Sequence, residues 1–406
     1  MDFRTHSAYL KTLYFVVFVA AGFISPFSTI FYKHTLVNPD GTTADHLIGW
    51  IFFFMPLVGL ATNIPMGIVA DRLHLGRHLI TLCCFGAAVF TLLTGLGGTD
   101  DAMARSLDAR FVWILVAVLL YAVFYTPIIP MLDAESMKLL AVHGHRENYG
   151  RIRVWGTVGW SVSCVLMGVL LHHVYHLPVV FYAAALIFVL LGLVSLRGLR
   201  TFRRPAPIRI PWEHLRRDRS FALFLVFSLL NGILFSASFL YTSYFFDDVM
   251  QSPLEIGIVF GTWTIFEIPL MFYARPLIRR LGNRWLIVLG LVLNGLRLVL
   301  FSFFTKETPF VWKWAAATLQ GAAFGALHIG SIDFVDRQAH GDMRATYMNI
   351  SNVARTALAS ALGGKLGAMV VAAGGADQLM MVTGLGSLCL VFFFVLFVRG
   401  HGPQEE

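Results

Sequence analysis

The sequence predicts an all-α membrane protein of twelve transmembrane helices, arranged as two six-helix bundles that repeat one another. Three observations predict this. Apolar residues make up 57% of the 406 and charged residues only 13%, whereas soluble domains carry about 25% charge. The apolar residues gather in runs near the ~20 residues that a bilayer crossing needs. One basic, proline-broken stretch, Arg197 to Arg219, divides those runs six and six.

In order, the spans read 10–32, 47–70, 78–97, 111–133, 150–174 and 178–196, then 220–246, 254–274, 285–304, 311–332, 345–372 and 376–398. The first run is too long for a signal-peptide core and has no small-residue cleavage site, so it is expected to remain as a span. The stretch between the halves holds eight arginines and three prolines, Pro205, Pro207 and Pro211. Proline at that spacing prevents a continuous helix. Arginines beside apolar spans hold a loop in the cytoplasm and favour anionic lipid. The expected domains are therefore 1–197, an N-terminal bundle; 198–218, a cytoplasmic basic linker; and 219–406, a C-terminal bundle.

Lysine and arginine set the orientation. The outer loops hold Lys33, Arg105, Arg110, Lys306 and Lys313; Arg297, Arg355 and Lys365 fall within spans; and 23 of the 31 lie on the other side. That asymmetry places both termini in the cytoplasm. Cys83, Cys84, Cys164 and Cys389 all lie in apolar spans, so no disulfide framework is implied. His172, His173 and His176 have no cysteine or carboxylate among them and read as a solvated outer turn, so no metal is expected. A nucleic-acid surface is excluded because the basic residues are not on a folded soluble domain.

The halves share local sequence. Span two ends Asn63-Ile-Pro65, followed six residues on by Asp71-Arg72-Leu73; span eight ends Glu267-Ile-Pro269, followed six on by Arg275-Pro276-Leu277. Two repeated bundles facing one another across a midplane cavity are what alternating access requires. The turn GIVADRLHLGR after span two resembles the signature loop of the major facilitator superfamily, with two extra residues, His74 and Leu75. In that family the aspartate caps neighbouring helices and latches the cytoplasmic gate. The resemblance thus implies gating roles for Gly67, Asp71, Arg72 and Arg77, and the major facilitator fold.

Span five opens YGRIRVWGTVGW. Arg151 and Arg153 stand where a chain enters the membrane and read as snorkelling anchors. Gly156 and Gly159 allow close helix packing, and Trp160 lies about 16 Å in from Tyr149. This opening resembles span five of lactose permease and of nucleoside–proton symporters. In the former, the second arginine pairs with a span-four carboxylate and the tryptophan stacks on the sugar. The resemblance puts those roles on Arg153 and Trp160, with Asp133 or Glu135 as the carboxylate.

A charge at mid-bilayer costs several kcal/mol unless paired or hydrated. Glu267, Arg297, His328 and Arg355 lie about 12, 20, 12 and 16 Å from the inner ends of four different spans. They are therefore expected to share one central layer on a common cavity and to serve proton coupling, whereas Asp333 and Asp336 lie nearer the inner surface. The run AAFGALHIGSIDFVDRQ, with Arg344-Ala and Gly363-Gly364, resembles spans ten and eleven of nucleoside–proton symporters. Their span-eight glutamate falls on Glu267 and their span-nine arginine on Arg297. The chain departs from them at Gly325, where they carry an acid, and at His328, where they carry asparagine. It departs from lactose permease at Ser331, where a glutamate would follow the histidine, and in span seven, where Asn231 replaces aspartates.

Together these features point to a proton-coupled symporter of the inner membrane that imports a small polar organic solute. A nucleoside is favoured, because Trp160, Tyr125 and Phe324 offer stacking beside the hydrogen-bonding Asn231, Gln320 and Glu267. A sugar or an aromatic acid is the alternative. A drug exporter fits the charge layer less well, and an enzyme would need a catalytic constellation that the chain lacks. No cofactor beyond the coupling proton is expected, and no partners beyond solute and lipid; the protein should be a monomer.

Overall fold

The computed structural model describes residues 3–72, 76–142, 149–196, 218–338 and 344–398. Nine helices among them are long and apolar enough to cross a membrane. Three further spans complete the twelve. Val179–Ser195 is shorter. Phe310–Gln338 is long enough at 29 residues, but Gln320 and His328 interrupt its apolar run. Thr346–Phe397 is long enough for two crossings and turns at Gly375, whose φ of 87° only glycine adopts freely.

Most departures from uniform helix have a local cause. Span one is broken between Phe3–Ile24 and Ser28–Thr35 at Pro26, and span four between Leu107–Tyr125 and Ile128–Val142 at Pro127. Proline lacks the N–H that would continue the ladder. Thr126 turns its hydroxyl back to the Ala122 carbonyl at 2.8 Å. Span eight is interrupted at Trp263, between Pro253–Thr262 and Thr264–Phe272. Gly282, at φ 73°, separates a basic stretch, 274–281, from span nine.

The chain divides into two compact units, Met1–Pro205 with Ser252–Gly261, and Ala206–Gln251 with Thr262–Glu406. Each has its own apolar core. The first gathers Leu13, Tyr14, Val17, Ile80, Cys83, Ile152 and Phe188; the second gathers Phe221, Phe224, Phe227, Ile287, Leu291, Phe334 and Phe394. The repeat is visible in which helices pack together. Span one lies along five and six, span three along four and six, and span two along four. In the second half, span seven packs on eleven through Gly363 and on twelve through Phe394. Span nine packs on ten through Gly290 and on twelve through Gly295, and eight lies along ten.

Two of the five cations that the sequence assigns to outer loops prove to be buried. Arg110, the fourth residue of Leu107–Tyr125, donates to the carbonyls of Thr35 at 2.8 Å and Val37 at 3.2 Å. Lys313, the fourth residue of Phe310–Gln338, donates to the Val249 carbonyl at 2.5 Å. Thr35 and Val249 end the first spans of the two halves. Both cations are buried, at 8% and 2% exposure. A cation on a helix C-terminus meets the negative end of the macrodipole, which offsets part of the cost of burying it. These side chains are helix caps.

Candidate functional site

In the first half, span five reaches its seat through glycine. A Cβ on Gly159 would stand 2.4 Å from the Phe15 carbonyl oxygen of span one, so only glycine lets the helices approach this closely. This contact brings the start of span five beside Tyr14. The Asp133 carboxylate accepts hydrogen bonds from the Tyr14 hydroxyl and, at 2.8 Å, from the Tyr149 hydroxyl. The Arg153 guanidinium lies over the rings of Phe18 at 4.3 Å and Tyr14 at 5.6 Å, close enough for attraction to the π face. Asp133 and Arg153 thus meet through Tyr14, which touches both.

Glu135, two residues after Asp133 on the helix Ile128–Val142, is buried. Tyr125 stacks on Tyr121 at 4.9 Å and meets Phe188 edge-on, so part of its ring is taken up by packing. Trp160 is half-buried, and its carbonyl accepts the Ser163 hydroxyl at 2.9 Å. Tyr14 and Tyr149 had no assigned role in the sequence. Tyr149 could have been suspected because it opens the span-five motif, but nothing in the sequence around Tyr14 marks it.

In the second half, spans eight and ten touch without side chains between them. A Cβ on Gly321 would fall 2.0 Å from the Trp263 carbonyl oxygen and 3.0 Å from the Glu267 nitrogen, and one on Gly325 would lie 3.9 Å from the Glu267 Cα. Glu267, half-buried, is therefore held against span ten at the level of Gly321 to Gly325. Along span ten, Gln320, Phe324 and His328 follow at helical spacing on one face. The Gln320 Oε1 and His328 Nδ1 are buried and have no hydrogen-bond partner among the described residues. Phe324 stacks on His328 at 5.4 Å and tilts against Phe235 of span seven at 6.1 Å. Asn231, one turn before Phe235, is buried.

The four central ionisable groups do not form a single cluster. Arg355 is near enough to His328 for its charge to be felt there. Arg297 is 2% exposed and turns to Asn294, whose Oδ1 accepts its Nη2 at 3.1 Å, and to the ring of Phe301 at 5.1 Å. Asn294 in turn donates to Ser387 of span twelve at 3.1 Å. The reason is rotational: Gly290, Asn294, Arg297 and Phe301 share one face of span nine, and that face packs on neighbouring helices through Leu327, Ser387 and Phe245. Arg297 still has Nε and Nη1 without a partner among the described residues. Asp333 is engaged by Arg337 at 2.7 Å and Asn283 at 2.9 Å.

Gly67 lies within the helix Asp45–Arg72, in open surroundings. Asp71 and Arg72 end that helix and Arg77 lies at the start of the next, but their side chains fall outside the described residues, as does most of the basic linker.

The geometry has clear counterparts among known proteins. The chain is 26% identical over 379 residues to the maltose permease of Geobacillus stearothermophilus, covering 90% of this chain and 87% of that protein. It is 21% identical over 402 residues to a probable 3-phenylpropionic acid transporter of Escherichia coli, covering 95% of each. It is 20% identical over 358 residues to the nucleoside permease NupG of E. coli, covering 84% of this chain and 82% of that one. The crystal structure of a NupG variant superposes with a TM-score of 0.83 at 19% identity, over 97% of this chain and 100% of that one. These relatives are secondary transporters and not enzymes. The family model described as MFS_1 like matches residues 8–382, and the protein is accordingly a multi-pass secondary transporter that belongs to the MFS_1 like family of the major facilitator superfamily.

Proposed function

We propose that this transporter is a proton-coupled symporter that imports a small polar organic solute by alternating access, and that a nucleoside is the preferred solute. The observation that carries the reading is the face of span ten. Among the described residues it presents a buried acceptor without a partner at Gln320 and a buried ring nitrogen without a partner at His328, with Phe324 between them. Buried polar atoms are normally satisfied, so this face is prepared for a ligand with polar edges on a planar ring. NupG, similar to this chain over most of its length, is a nucleoside permease.

In this reading Gln320, Phe324 and Asn231 hold the solute from the second half, and Tyr125, Asp133, Glu135, Arg153 and Trp160 hold it from the first. Glu267 takes up and releases the coupling proton, with His328, Arg355 and Arg297 biasing its charge state. The protein works as a monomer in the cytoplasmic membrane, with both termini inside and without a cofactor.

Purified protein in proteoliposomes with an imposed proton gradient tests this. Labelled uridine should accumulate, and excess uridine should compete better than maltose or 3-phenylpropionate. Uptake blocked by maltose and not by uridine would replace the nucleoside with a sugar, the reading that the maltose permease similarity favours. Uptake indifferent to the gradient would remove the proton.

A further inference from the structure

Span eleven is not a uniform α-helix. Between Arg344–Val353 and Ala359–Phe397 the chain makes a π-helical turn over Ala354–Leu358, with Arg355 inside it. A π turn is in effect one residue inserted into an α-helix, and it weakens hydrogen bonding locally, so it persists only where the surroundings hold it. Here span seven holds both flanks. Upstream, the Tyr347 ring packs on Phe221 at 4.2 Å and its hydroxyl donates to Asp218 at 3.4 Å. Downstream, Ser236 and Ser360 share a hydrogen bond of 3.0 Å, and the Tyr241 hydroxyl donates to the Gly364 carbonyl at 3.2 Å.

Between those two seats stands Gly232. A Cβ there would lie 2.6 Å from the Arg355 carbonyl oxygen and 2.6 Å from the Ala359 Cβ. The widened turn therefore rests directly on the backbone of span seven. The Thr356 hydroxyl donates to the Asn352 carbonyl at 2.7 Å, supplying a partner where the ladder changes register.

We propose that Gly232 and the π turn together are a positioning device for Arg355: the inserted residue turns the arginine toward His328 and the polar face of span ten. Without the insertion, both flanks of span eleven keep their seats, but Arg355 is rotated off that face by up to the ~100° that one residue subtends on a helix. Gly232 is then required because any side chain there pushes the turn away from span seven. The proposal rests on the functional reading above for its consequence in transport, but not for its geometry.

The test has two arms. The first needs no substrate. Arg355→Cys is placed in a Cys389→Ser background, the remaining cysteines being buried, and reacted with a charged, membrane-impermeant thiol reagent. Residue 355 should label readily. Adding either Gly232→Ala or deletion of Ala354 should slow labelling at least tenfold. The second arm keeps Arg355 and measures uridine uptake, which should fall at least tenfold in each variant. Deletion of Ala354 should still give a folded, monodisperse protein, since it removes only the inserted residue. Failure of that deletion variant to fold would overturn the proposal. So would a residue 355 unreactive in the parent, or labelling unchanged in both variants. A parent that takes up no uridine would instead sink the nucleoside reading and leave the labelling arm to decide the turn.

Discussion

Removing the Tyr149 hydroxyl should reveal how the first half holds its carboxylate. Asp133 accepts from two phenols, Tyr14 and Tyr149, the latter at 2.8 Å. A hydrogen bond to a charged group contributes about 1.5–3 kcal/mol, against about 0.5–1.5 kcal/mol for a neutral pair. Tyr149→Phe should therefore destabilise the protein by about 2 kcal/mol, because the half-buried carboxylate keeps only one donor. For a unit of this size that corresponds to a fall in Tm of roughly 4–8 °C. In an Asp133→Asn background the same change should cost about 1 kcal/mol, giving a coupling near 1 kcal/mol between the two sites. Tyr14→Phe should behave alike, and the two phenol changes together should cost more than their sum, since the second removal leaves the charge without a donor. Reversible unfolding in mixed micelles measures all six proteins. Equal penalties with and without the Asp133 charge would refute the reasoning, as would a Tyr149→Phe protein within about 0.3 kcal/mol of its parent.

Glu267→Gln keeps shape and hydrogen bonding but cannot ionise; it should abolish uphill accumulation while retaining part of the solute exchange, and accumulation at the parental level under a proton gradient would remove Glu267 from the coupling role. Trp160→Phe should hold affinity within about tenfold while Trp160→Ala loses about 1–3 kcal/mol, the scale of aromatic stacking on a base; equal binding by both, measured calorimetrically, returns Trp160 to packing. Lys313→Met leaves the Val249 carbonyl without its donor and should lower stability by about 1–3 kcal/mol, read from the melting temperature; an unchanged melt would mean the cap contributes nothing net. Expressed as pieces 1–204 and 212–406, the halves should reassociate and transport; stably inserted fragments with no uptake would show that the bridge does more than tether.

The spans were legible because membrane burial leaves a one-dimensional record: each crossing needs a run of apolar residues, and each run can be read without knowing its neighbours. The breaks at Pro26 and Pro127 fall on residues that cannot donate, but Pro56 and Pro65 lie inside the continuous helix Asp45–Arg72, so proline alone did not locate them. The π turn at Arg355 left no such mark. It depends on Gly232, some 120 positions earlier, and on two seats along span seven that only folding brings alongside. The same limit applied to Asp133. Sequence could bring it near Arg153 by resemblance, but the phenol that touches both residues comes from span one.

By itself the sequence determined that the chain is a twelve-span, two-fold repeated transporter, and it set the expectations of which residues lie deep in the membrane and which side faces the cytoplasm. These follow from length, hydropathy and the placement of arginine and lysine, quantities that add along the chain. Which way each deep side chain points was decided by tertiary structure alone. Depth follows from counting residues along an axis, but direction around that axis is set by what the neighbouring helices admit. For that reason Arg297, placed in the central layer with Glu267 and His328 by counting, turns to Asn294 and Phe301, while Arg355 sits in the π turn that rests on Gly232 of span seven.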